Sequence, residues 1–169
     1  MRIVVSNTGP LLHLWQANSV ELLRSTGEVH VPPAVAQELT RHNPAWASGL
    51  PSFIAVSSLE ASYSGQAQVW QQSGLLHVGE AQALSLALQL KADWFLTDDT
   101  AARVLSNSLG VEVHGSLGVV LWAAAARHLN RLEAEEALNQ LAASSLWIST
   151  RVLKQAKEAL DQILPPAQT

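Results

Sequence analysis

The chain has 169 residues, 48% of them hydrophobic and only 14% charged, with a net charge of −4 and no cysteine. That length suits one domain with a sizeable core. The charge excludes a global basic field that would draw the chain to nucleic acid, so any such contact needs a local patch or a bridging cation. The missing cysteines exclude disulfides, thiolate metal sites and a cysteine nucleophile.

Ile3-Val4-Val5 reads as a first strand. It is too short for the apolar segment of a signal peptide, and no apolar run reaches the ~18 residues of a membrane span, so a cytoplasmic protein without membrane contact is expected. Leu11 to Leu23 reads as a helix and Glu28 to Val31 as a second strand. Pro32-Pro33 opens a helix through about Leu39, because proline suits a first helical turn. Residues 42 to 78 are poorly patterned; Phe53 to Val56 fits a strand, and the Ser-, Gln- and Gly-rich remainder fits loop or short helix.

Gly79 to Lys91 predicts a helix with a wide apolar face, followed by a buried strand, Trp94 to Thr97. Thr100 to Leu109 predicts a helix closed by Gly110, and Val111 to Val113 another strand. Only helices follow: Leu117 to Arg127, Glu133 to Ala143, and a last one capped by Ser149 or Thr150 and ended by Pro165-Pro166. Strands alternating with helices imply βαβ units and a parallel sheet between helical layers. Sites in such sheets form beyond the carboxyl ends of the strands, at a topological switch point.

Two strand ends carry polar groups suited to chemistry. The first runs into Ser6-Asn7-Thr8 and another into Thr97-Asp98-Asp99, although the chain has only four aspartates. Adjacent carboxylates repel, and a hard divalent cation would relieve them; capping of the next helix is the competing explanation. Glu38 falls near the unfavourable end of its helix dipole, which means either exposure or a nearby cation. Glu80 opens a helix, where the dipole alone favours an acid. Asn7 can cap a helix or offer a neutral oxygen to a cation.

The blocks "VVSNTGPLLHL", "VHVPPAVAQEL", "GEAQALSLALQLKADWFLTDD" and "LGVEVHGSLGVVL" together resemble the PIN (PilT N-terminal) domain. The resemblance is strongest to a branch of prokaryotic PIN-like predicted nucleic-acid-binding proteins related to VapC-type toxins. It implies a three-layer α/β/α fold with a central, mostly parallel sheet. A single domain would span residues 1 to 169, with a core of about 1 to 125 and a C-terminal helical extension of about 126 to 164.

The resemblance also implies a metal-dependent ribonuclease acting on single-stranded RNA, with the toxin of a toxin–antitoxin pair as its biological setting. Its acidic positions fall on Asn7, where the family normally has Asp, then on Glu38, on Glu80, and on the Asp98-Asp99 pair, of which Asp99 fits the Thr-x-Asp spacing. Asn7, Glu38, Glu80 and Asp99 would hold Mg²⁺ or Mn²⁺, with Asp98 assisting catalysis. Such ions lower the pKa of a bound water and offset charge on the phosphate. Ser6 and Thr8 flank the first position and are placed to orient a ligand. Arg103, one turn after the acid pair, would clamp a phosphate or pair with Asp99. The alternative is a weakened or inactive module that binds nucleic acid or protein, because Asn7 brings no charge. An antitoxin and a second copy of the chain are the expected protein partners, the latter because the apolar content exceeds what a core needs.

Glycine-rich phosphate loops are absent, which counts against dinucleotide and P-loop chemistry. The six histidines show no ligand spacing and read as ordinary surface or half-buried residues. Trp15, Trp94, Trp122 and Trp147 lie in apolar stretches and are expected in the core, leaving Trp46 and Trp70 as candidates for stacking on bases. Arg127, His128 and Arg131, and likewise Arg151, Lys154 and Lys157, read as solvated helix faces, with phosphate contact as the alternative.

Overall fold

A computed structural model of the chain describes residues 1–168. Its strands are β1 (Ile3–Ser6), β2 (Glu28–Val31), β3 (Ile54–Val56), β4 (Trp94–Leu96) and β5 (Val113–His114). They form one five-stranded, wholly parallel sheet in the order β3-β2-β1-β4-β5. Val5 pairs with His30 on one side and Phe95 on the other. Val4, Val5, Phe95 and Leu96 are fully buried. Central parallel strands are covered on both faces, which is why these segments are continuous apolar runs rather than alternating ones.

The helices are α1 (Thr8–Gln16), α2 (Pro33–His42), α3 (Ala61–Gln72), α4 (Val78–Gln89), α5 (Thr100–Ser108), α6 (Ser116–Ala125), α7 (Arg131–Ala143) and α8 (Thr150–Ile163). α4 packs on β1 and β4 with α3 against it, while α1, α6, α7 and α8 pack together as a second group. The result is the expected three-layer α/β/α arrangement. One apolar cluster runs from Val4 through Leu138 and Leu141 to Leu160 and Leu164, so the C-terminal helices share the core of the sheet. No helix of the described residues is long and apolar enough to cross a membrane.

The expected helix from Leu11 to Leu23 is broken in two. Ser19 N–H donates to Leu14 O at 2.7 Å, and Asn18 takes a left-handed conformation at φ 54°. Asparagine tolerates that region better than most residues, and the apolar pattern resumes in a 3-10 turn at Val20–Ser25. In the poorly patterned stretch, α3 was not legible as a helix because only Ala67 and Trp70 of it are buried. The tryptophan expectations are partly reversed. Trp46 and Trp70 are buried in the core, whereas Trp15 is 37% exposed and Trp147 is 85% exposed. Trp94 is buried as expected, and Trp122 packs edge-on against it at 5.4 Å between ring centres.

The chain lays β2 and β3 on one side of β1, then returns to place β4 and β5 on the other. The topological switch point therefore lies between β1 and β4, and their carboxyl ends are where a site is expected in such a sheet.

Candidate active site at the carboxyl ends of the central strands

Asn7 follows β1 directly and caps α1. Its Oδ1 accepts from Gly9 N–H at 3.2 Å, and its Nδ2 donates to the Thr97 hydroxyl oxygen at 2.8 Å. Its backbone N–H donates to Leu96 O at 3.1 Å. Asn7 thus fastens the end of β1 to the end of β4. The same Thr97 oxygen accepts from Asp99 N–H at 3.1 Å, which sets the turn into α5. Ser6, expected beside a ligand, is fully buried, and its hydroxyl donates to the Asn7 carbonyl at 2.9 Å. It belongs to the buried frame of the strand ends, not to the surface of the site.

Thr8, also expected to orient a ligand, donates its hydroxyl to the Glu38 carboxylate. Glu38 projects from α2 onto the first turn of α4, where a Cβ on Gly79 would come within 2.5 Å of its Oε1. A Cβ there would push the carboxylate end of Glu38 aside, so glycine lets Glu38 keep this place. Glu80 follows at once, with Oε2 accepting from His77 N–H at 3.0 Å to close a capping box. Burial, foremost, pushes the Glu80 carboxyl above its ordinary value, and the charges of Asp99 and Glu38 push the same way; the His77 N–H opposes them. Asp99 caps α5, its Oδ1 accepting from Ala102 N–H at 2.8 Å. Three acids from three elements thus meet electrostatically around Glu80, and a full turn of sheet and helix separates them along the chain.

Asp98 faces the other way. Its Oδ2 lies 2.8 Å from His13 Nδ1 and accepts from the Ser116 hydroxyl at 2.5 Å, while its Oδ1 accepts from Ser116 N–H at 2.7 Å. Burial works against its charge, but these hydrogen bonds from His13 and Ser116 outweigh it and hold the carboxyl below its ordinary value. With Asp98 ionised, the proton of that contact resides on His13 Nδ1. A Cβ on Gly115 would stand 2.6 Å from Arg103 Nη1 and 2.9 Å from Asp98 Oδ1, so a larger residue would displace the end of Arg103 and crowd Asp98. Arg103 forms no ion pair with a carboxylate of the described residues, Asp99 included.

Glu38, Glu80 and Asp99 fit a hard dication in donor type and charge: all are carboxylates, and their mutual repulsion at Glu80 is the kind that a cation relieves. Asn7 Oδ1 adds a neutral oxygen that caps α1 through a single, rather long hydrogen bond. As the side chains stand, no three acidic or histidine groups among the described residues close on one point. His13, Ser116 and Thr97 are the positioning groups that sequence reasoning did not find. His13 was passed over for want of a nearby second ligand, and its partner lies 85 residues away.

A parallel sheet of this order, with acids beyond the ends of its central strands, is an α/β/α domain with its candidate site at the switch point. The sequence pattern of DUF3368, a PIN domain family, matches residues 3–162. The chain belongs to this family, and with it to the PIN-domain nuclease superfamily, whose members generally use divalent metal ions. A search of curated proteins finds no match.

Proposed function

We propose that the chain is a metal-dependent ribonuclease that hydrolyses single-stranded RNA. The observation that carries this is that Glu38, Glu80 and Asp99, from three elements, lie near enough for the charges of Asp99 and Glu38 to add to burial, the foremost cause, in pushing the Glu80 carboxyl up. The caps of α4 and α5 account for Glu80 and Asp99 singly but not for their grouping with Glu38, and repulsion among the three costs stability. Glu38, Glu80 and Asp99, with the amide oxygen of Asn7, would hold Mg²⁺ or Mn²⁺. Bound there, such an ion supplies a lowered water pKa and offsets charge growing on the phosphate. The chain's own groups set the geometry. Thr8 orients Glu38, Thr97 orients Asn7 and Asp99, and the His13–Asp98–Ser116 set fixes the entry of α6. As the toxin of a toxin–antitoxin pair, the protein would have this cleft covered by an antitoxin segment.

The test is incubation of the protein with labelled single-stranded RNA in Mn²⁺ or in EDTA. Cleavage is expected only with the metal, and falls by roughly a hundredfold or more in Glu38→Gln, Glu80→Gln and Asp99→Asn, the scale of losing a positioned electrostatic group. Asn7→Asp is expected to raise it. A second reading, a module that binds without cutting, is favoured by the double engagement of Asn7 with Gly9 and Thr97. RNA retained but uncut in Mn²⁺ would establish that reading instead.

A further inference from the structure

Beside Asp98 lies a groove of about 360 Å³, lined by Arg103, His114 and Gly115 and by Trp147, Ser149 and Val152 of the α7–α8 junction. It opens at the carboxyl ends of β4 and β5, the same end of the sheet as the acids. Its volume is at the small end of pockets that hold small ligands, which is room for one flat ring system. Trp147 is 85% exposed, which leaves a large apolar surface in water.

The indole nevertheless stands on a fixed segment. Gln16 Oε1 of α1 accepts from Ser145 N–H at 2.9 Å and from its hydroxyl at 2.7 Å, and the Ser144 hydroxyl both donates to Leu141 O and accepts from Leu146 N–H. Leu146 and Ile148, on either side of Trp147, are half-buried. Arg103, in the same lining, is a guanidinium that forms no ion pair with a carboxylate among the described residues. An exposed indole and a guanidinium outside any ion pair, lining one groove, are the chemistry that takes an unstacked base with its phosphate.

We propose that this groove is a nucleotide subsite for single-stranded nucleic acid, in which Trp147 stacks on a base and Arg103 holds the adjoining phosphate. The inference rests on the nuclease reading only for where the strand is cut. The C-terminal helices then serve the site as well as the core, since they alone supply the stacking plane. The guanidinium selects an anionic strand as the occupant, since the Asp98 carboxylate in the same lining is already engaged by His13 and Ser116.

The test uses the full chain and a short fluorescein-labelled oligouridylate, with affinity read by fluorescence anisotropy in EDTA so that cleavage plays no part. Trp147→Ala is expected to weaken binding about tenfold, while Trp147→Phe stays near the native value. Arg103→Ala weakens binding and lowers the salt dependence by about one released counterion. Equal affinity for native protein and Trp147→Ala overturns the proposal, as does a native chain that does not bind the probe. A dimer that falls to monomer in Trp147→Ala with RNA affinity unchanged assigns the face to a second copy and overturns it too. The nuclease reading fails separately, by uncut RNA in Mn²⁺ alongside Trp147-dependent binding.

Discussion

Neighbours in sequence, Asp98 and Asp99 live in different surroundings. Asp98 is held on three sides by His13 and Ser116, whereas Asp99 spends one oxygen on a helix cap and adds its charge to the field at Glu80. A lowered carboxyl stabilises the fold above its unfolded value, here about 3.8, and that contribution is lost as pH falls through the folded value. Asp98→Asn is therefore expected to cost about 2 kcal/mol near neutral pH, the scale of hydrogen bonds to a charged group. Thermal melts of both proteins across the acid range measure it. The gap should close as pH drops well below 3.8; a gap that persists unchanged there would mean that packing, not charge, holds the residue. The acid pair was legible in the sequence as two chemistry-bearing residues, but their division of labour was not, because it depends on His13 and Ser116 arriving from α1 and α6.

Among the elements, helix starts were the most readable, since a cap is a local event. Asn7, Asp99, Asn130 and Ser149 each accept from a backbone N–H two or three residues on, as their residue types predict. Elements defined by packing were less readable: α3 is polar over most of its length and is held by contacts such as Ser85 Oγ donating to Tyr63 O at 2.5 Å. Trp147 misled for the same reason, because an apolar neighbourhood in sequence does not say which side of the chain faces the core. Asp99 lets the cap and ligand roles be separated at α5. Asp99→Asn keeps a side-chain oxygen for Ala102 N–H and should melt within a few tenths of a kcal/mol of native, whereas Asp99→Ala should lose about 1 kcal/mol. Both should lose Mn²⁺-dependent cleavage. Cleavage surviving in Asp99→Asn would make the residue a cap and nothing more.

At the scale of the whole molecule, the chain carries a net charge of −4, and Glu38, Glu80 and Asp99 concentrate part of it at one end of the sheet. The raised Glu80 carboxyl has a definite consequence. A folded state that holds a proton more tightly than the unfolded chain gains full benefit below the ordinary value of 4.5 and loses it as pH rises through the folded value. Near neutral pH the cluster is thus a strain on the fold, and a dication bound only by the folded chain would remove it. Mass action sets the scale: about 2.7 kcal/mol of added stability at a hundred times the dissociation constant. Mn²⁺ is accordingly expected to raise the melting temperature near neutral pH, with a smaller effect in mild acid where protons compete for the same oxygens. Glu80→Gln removes one charge of the repelling set, so in EDTA it should melt at or above native protein, yet gain little from Mn²⁺. Calorimetric scans of the two proteins with and without the ion decide the matter. Identical melting of native protein in Mn²⁺ and in EDTA would leave the three carboxylates as an unrelieved acidic patch without an ion to hold.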